Sequence, residues 1–229
     1  MKVRGANVSM PHKQNIIPYL DEISTASRLC NAVNTITFKD GKYYGTITDG
    51  IGFTRSLEEQ GWLIKDKKIT MVGAGGASTA IMVQLALDGV KEIIVYNRTM
   101  RTEFQEIINN TIIETGCTIT LKSLSDLESL KKDMHSSYLF INTTGVGMEP
   151  MLERSVVPDA SYFKPDLKVA DIIYQPAVTK MLRLAKEAGC ATMNGELMLL
   201  YQGVESFKIW TGQEMPINEV KKVLGIEVK

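Results

Sequence analysis

The sequence predicts an α/β protein: a doubly wound parallel sheet with helices on both faces, joined to a smaller α/β domain. Three observations carry this. From about residue 60 onward, short apolar runs alternate with amphipathic stretches, and right-handed crossovers turn such a βαβ rhythm into a parallel sheet. A glycine cluster, Gly73, Gly75 and Gly76, falls between an apolar run and a helix-like stretch. Before residue 60 the texture differs, with two β-rich runs around the turn signal "KDGK".

In chain order, a strand is expected through Gly5 to Val8, then a helix from about Gln14 to Leu29. A hairpin follows within "AVNTITFKDGKYYGTITDG", and "GIGFTRSLEEQGW" reads as a helix leading into the parallel domain. There "KITMV", "EIIVY", "SYLFINTT" and "KVADIIY" are the strands; "STAIMVQLAL", "RTEFQEIINNTI" and "AVTKMLRLAKEAG" are the helices. An apolar helix over 194–212 is expected to fold back and close the first domain. The boundaries are then 1–62 for a smaller domain closed by C-terminal helices within 197–229, and 63–196 for the doubly wound domain.

Bulk properties exclude several classes. The chain of 229 residues carries 26 basic and 26 acidic side chains, so its formal charge is zero and gives no electrostatic footprint for nucleic acid or an anionic membrane. No apolar run approaches a membrane span. Cys30, Cys117 and Cys190 are odd in number and far apart, and His12 and His135 are isolated, so a reducing, cytoplasmic setting and no metal site are expected.

The run "GAGGAS", Gly73, Ala74, Gly75, Gly76, Ala77 and Ser78, sits where strand gives way to helix. A tight turn free of side chains lets backbone N–H groups and the positive helix end approach a pyrophosphate, so a Rossmann-like dinucleotide site is expected there. The next strand ends in "VYNRTMRT", with Asn97 standing 24 residues past Gly73. An acid at this place would hold a ribose 2′-hydroxyl. Arg98 and Arg101 flank Thr99 instead, cations and a hydroxyl suited to a 2′-phosphate, which favours NADP over NAD.

Taken together, "NVSMPHK" (7–13), "AVNT" (32–35), "TDGIGF" (48–53), "GAGGAS" (73–78), "NRT" (97–99), "NTTGVGM" (142–148), "DIIYQPAVT" (171–179) and "NGELMLLYQG" (194–203) resemble the shikimate dehydrogenase family, including its quinate/shikimate relatives, over nearly the whole chain. The resemblance implies reversible hydride transfer between NADP and carbon 3 of shikimate in aromatic amino-acid biosynthesis. It implies Lys13 as the acid/base residue with Asp49 beside it, Asn34 and Gln202 on the substrate's ring hydroxyls, and Ser9 and Tyr174 near its carboxylate. Thr143, Gly195 and Met198 would line the cofactor's path. The chemistry agrees, since oxidising an alcohol needs a group that takes the hydroxyl proton as hydride leaves.

The pattern also departs from the family. The family has a strand, a helix and a second strand before "NV[ST]", a unit of about 30 residues, whereas six residues precede Asn7. The expectation is a substrate domain lacking its first part, including a pair of carboxylate-holding serines, with Met1 either an internal methionine of a longer frame or the start of a chain that has lost the segment. An unpaired strand edge and an uncovered apolar face would then invite homodimerisation or other association. Ile47 replaces the family's Asn before Thr-Asp, and Glu196-Leu197 replaces Leu-Gly before the Met, which would crowd the nicotinamide seat. The alternatives are a quinate/shikimate dehydrogenase using NAD and a catalytically silent dinucleotide-binding protein.

Overall fold

The computed structural model describes residues 3–226 and contains two sheets. The first is four-stranded, in the order β1 (Gly5–Asn7), β3 (Thr35–Lys39), β4 (Lys42–Thr46), β2 (Glu22–Ile23). β1 and β4 both run antiparallel to β3, whereas β2 is parallel to β4. The β3–β4 hairpin turns on Asp40 and Gly41, with φ of 52° and 79°. Two successive left-handed residues make the tight turn whose twist matches the strands, which is what "KDGK" predicts.

The expected helix over 14–29 is not formed. The segment instead makes a 3-10 turn at Ile17–Tyr19, then β2, and only then α1 (Thr25–Cys30). Pro18 cannot supply the amide that a continuous helix needs in its interior. Ser24 restarts the helix, its hydroxyl accepting from the Ser27 amide, and Asn31 ends it in the left-handed conformation at φ 50°.

The second sheet is six-stranded and all parallel, in the order β10 (Ala191–Met193), β9 (Lys168–Asp171), β8 (Leu139–Asn142), β5 (Lys68–Val72), β6 (Glu92–Asn97), β7 (Thr118–Ser123). Helices α3 (Gly76–Leu87), α4 (Thr102–Thr115), α5 (Leu127–Ser136) and α6 (Lys180–Glu187) supply all the crossovers but that from β8 to β9, which runs through loop and a 3-10 turn at Ala160–Tyr162. The order reverses at β5, creating the crevice at the carboxyl ends of the strands in which such sheets bind ligands. β7, α5 and β10 go beyond the sequence expectation. β7 is an edge strand of alternating polar and apolar residues too weakly apolar to stand out, and β10 has three residues.

Two helices join the sheets. α2 (Asp49–Glu59) carries Phe53 and Leu57 into the main core, and α7 (Glu196–Thr211) packs along it. α7 also reaches the first sheet: Trp210 Nε1 donates to the Ile36 carbonyl at 2.9 Å, and Ser206 Oγ lies 2.9 Å from Thr35 Oγ1. α7 thus touches both the main core, through Met198, and the first sheet. α8 (Ile217–Leu224) is pinned beneath by Lys221 Nζ, 2.6 Å from Glu59 Oε1, while Tyr201 donates to the same carboxylate. The expected C-terminal helices end within the described residues; 227–229 lie outside them.

Candidate active site

The site grows from three short stretches brought together by the first sheet. The segment after β1 is fixed by the His12 amide donating to Ser9 O at 2.9 Å and the Val33 amide donating to Lys13 O at 2.8 Å. That places Lys13 beside the start of β3. Asn34 sits between β1 and β4, its amide donating to Thr46 O while its carbonyl accepts from Val8. Asp49 opens α2, where the helix N-terminus favours a negative charge.

Lys13 Nζ and Asp49 Oδ2 meet at 2.6 Å. The carboxylate is held from its other side by Asn34, whose Nδ2 lies 3.2 Å from Asp49 Oδ1 and 3.1 Å from Thr48 Oγ1. Asn34 Oδ1 in turn accepts from the Thr48 amide at 2.9 Å and from Thr35 Oγ1 at 3.0 Å. Asp49 is buried, while the Lys13 side chain keeps 27% of its exposure, so Nζ opens onto solvent over a fixed Asp49 side chain.

Lys13 lines a cleft of about 650 Å³ together with Ile47, Gly75, Gly76 and Arg101. The catalytic candidate and the glycine turn thus share one cavity. Gly73 adopts φ 122°, and a Cβ there would lie 2.5 Å from Thr143 Oγ1, so both backbone and space demand glycine. Gly75 and Gly76 differ, for nothing lies within 4 Å of a Cβ on either. Their bareness leaves an open cradle at the start of α3, which fits a pyrophosphate. Ser78, the departure at the sixth position, donates its hydroxyl to the Gly73 carbonyl at 2.5 Å and so pins the turn.

At the end of β6, Asn97 Nδ2 donates to the Thr99 carbonyl at 2.6 Å, shaping the loop that exposes Arg98, Thr99 and Arg101. Thr143 turns inward, donating to the Val72 carbonyl at 2.7 Å. Gly195 begins α7, and a Cβ on it would run into the Ile172 carbonyl. Met198 is 7% exposed within the main core, and Leu197 packs with Leu200, Tyr201 and Val204 in a separate apolar cluster.

Not every expected residue reaches the Lys13 cleft. Ser9 is exposed on its turn, and Gln202 is half-buried on α7, its backbone against Gly52 of α2. Tyr174, half exposed, lines a second cavity of about 720 Å³ with Thr143, Thr144 and Ile172, at the carboxyl ends of β8 and β9. Asp171, at the tip of β9, is fully buried, and desolvation pushes its carboxyl up to about 6 against three hydrogen bonds that favour the anion. Its position at a strand end facing the crevice was the available signal for it.

A phosphate-ready glycine turn, Arg101 of the basic loop after the next strand and a Lys backed by a buried carboxylate meet at one cleft and define a dinucleotide-dependent oxidoreductase of the Rossmann type. Family models agree: a shikimate dehydrogenase substrate binding domain matches residues 1–36, shikimate / quinate 5-dehydrogenase matches 56–174, and a shikimate 5'-dehydrogenase C-terminal domain matches 195–224. The chain is 46% identical over 228 residues to a shikimate dehydrogenase (NADP(+)) of Listeria innocua, covering 98% of this chain and 78% of that protein. Among solved structures, shikimate 5-dehydrogenase from Listeria monocytogenes in complex with shikimate and NAD matches with a TM-score of 0.93 at 46% identity, covering 97% of this chain and 78% of that one. Quinate dehydrogenase from Corynebacterium glutamicum in complex with NAD matches with a TM-score of 0.85 at 28% identity, covering 96% and 77%. The chain belongs to the shikimate dehydrogenase family.

Proposed function

We propose that this chain is an NADP-dependent dehydrogenase interconverting shikimate and 3-dehydroshikimate in the cytoplasm. The observation that carries the reading is Lys13, paired with Asp49 at 2.6 Å, lining the cleft that holds the bare glycine turn. When bound, NADP supplies the hydride acceptor. As the neutral amine, Lys13 Nζ takes the proton of the substrate hydroxyl as hydride leaves the carbon, and the ammonium so formed returns that proton during reduction, while Asp49 keeps the Lys side chain in place. Asn34, bonded to Asp49, orients that carboxylate and reaches the ring hydroxyls with Gln202 by giving up its bond to Thr48 Oγ1; Ser9 and Tyr174 serve the substrate carboxylate. The turn Gly73–Ala77 and Thr143 seat the dinucleotide with Gly195 and Met198, and Asn97, Arg98, Thr99 and Arg101 receive its 2′-phosphate. In this reading residues 1–62 and the C-terminal helices form the substrate domain, residues 63–196 form the dinucleotide domain, and the exposed edge of the first sheet supports homodimerisation.

The test is turnover of shikimate and of quinate with NADP and with NAD, in the wild type and in the Arg98→Ala/Arg101→Ala variant. Wild-type activity with shikimate and NADP, and a preference over NAD that falls at least about tenfold in the variant, are expected from the loss of charge-assisted bonds. Turnover of quinate with NAD alone, or no shikimate-dependent reduction at all, would overturn the proposal.

A further inference from the structure

Asp171 has no part in the chemistry above, yet its carboxylate ties three pieces of chain together. Oδ1 accepts from Asn142 Nδ2 at 3.0 Å and from the Ile173 amide at 3.1 Å, and Oδ2 accepts from the Thr179 hydroxyl at 2.8 Å. Asn142 extends the connection, for its Nδ2 also donates to the Val146 carbonyl at 3.2 Å. Its Oδ1 accepts from the Thr144 hydroxyl at 2.7 Å and the Thr144 amide at 3.0 Å. Thr179 is the N-cap of α6 and packs against Gly147. One buried acid therefore fixes the loop after β8, the loop after β9 and the start of α6 relative to one another.

Both loops wall the 720 Å³ cavity. Sheet order gives that cavity a meaning. The glycine turn follows β5 and the basic loop follows β6, on one side of the point where the order reverses; β8 and β9, whose loops wall the cavity, lie on the other. A dinucleotide whose pyrophosphate sits at the turn and whose adenosine lies toward β6 must extend its second half over the ends of β8 and β9. Gly195 is docked on the same loop, its amide donating to the Ile173 carbonyl at 3.0 Å.

We propose that Asp171 is a positioning residue for the nicotinamide half of the cofactor: through Asn142 and Thr179 it sets the separation of the two loops against which that ring rests. This rests on the dehydrogenase reading. Asp171 itself has no exposed surface, so it acts through its partners, and the phosphate-holding residues lie on the far side of β8. Its removal should disturb placement of the ring more than affinity for the dinucleotide.

The experiment compares wild type, Asp171→Ala, Asp171→Asn and Thr179→Val by NADPH fluorescence titration and by turnover per folded molecule, with folded fraction measured by thermal melting. An Asn at 171 can accept at Oδ1 and bond Thr179 through Nδ2, so it should behave like wild type. In Asp171→Ala, NADPH affinity is expected within about threefold of wild type. The enhancement of nicotinamide emission on binding should be lost, and kcat should fall at least about tenfold, as small misplacements do. Thr179→Val should show the same pattern more weakly, which keeps the test open if Asp171→Ala fails to fold. Normal emission and kcat in Asp171→Ala and Thr179→Val, or an Asp171→Asn variant as impaired as Asp171→Ala, would overturn the proposal. The emission readout needs no substrate, so a wild type inactive on shikimate would sink the functional reading while still leaving Asp171 tested.

Discussion

The two sheets hold their residues very differently. In the six-stranded sheet, β5, β8 and β9 are buried almost throughout, with Ile69, Phe140, Ile141 and Val169 fully enclosed between helix layers. In the four-stranded sheet all of β1, and all of β4 except Gly45, face solvent or lie only partly covered. Val3, Tyr19, Phe38 and Tyr43 keep between 46% and 76% of their exposure around an apolar groove. The cradle for a dinucleotide thus stands on the thick sheet, whereas Lys13 stands on the thin one. What couples them is α2, whose first residue is the site's carboxylate and whose apolar face is part of the main core. In the proposed reading, dinucleotide binding and proton transfer would therefore draw on parts of the molecule that differ in burial.

The sharpest break of that comparison is a matched pair of truncations. Leu139→Ala, at a fully buried position of β8, should cost about 2–5 kcal/mol in urea unfolding, while Phe38→Ala, exposed on β3, should cost under about 1 kcal/mol. Equal costs would mean that the first sheet is as well packed as the second.

A second prediction sharpens the picture of the thick sheet, where a carboxylate is buried among neutral partners: Asn142, Thr179 and the Ile173 amide. Because the folded pKa of Asp171 is raised to about 6 from 3.8, the folded chain holds that proton after the unfolded chain has released it. Stability from this group therefore falls as pH rises from about 4 to about 6 and stays lower above that window, by at most about 3 kcal/mol. Asp171→Asn should flatten this slope and melt higher than wild type at pH 8. A variant that keeps the slope, or melts lower at pH 8, would show that the carboxylate is not a source of destabilisation.

Much of the thick sheet was legible because its constraints are local. Gly73 needs a positive φ and an empty Cβ position, so the requirement is written at that residue, and the apolar strands around it announce themselves in runs. The basic loop at 98–101 was readable for the same reason, from its place at a strand end. The thin domain was harder. Pro18 and Ser24 both signalled a break in the expected 14–29 helix, but amphipathic spacing across them looked continuous. The meeting of Lys13 with Asp49 spans 36 positions, and nothing local announces it; resemblance to a family supplied it. The bonds that spend Asn34 on Thr48 and Asp49, and those that join Asp171 to Asn142 and Thr179, depend on which side chains the finished fold brings within 3 Å or so, a property that no single stretch encodes.

Lys13 is the group in the cleft placed to carry the proton in the proposed reaction. Its test is steady-state oxidation of shikimate with NADP by Lys13→Ala, alongside NADPH titration of the same protein. Turnover should fall about a thousandfold, the scale of a lost acid/base group, with the cofactor still bound and the melting temperature unchanged. Turnover within about threefold of wild type would contradict the assignment and leave the cleft without its proton carrier.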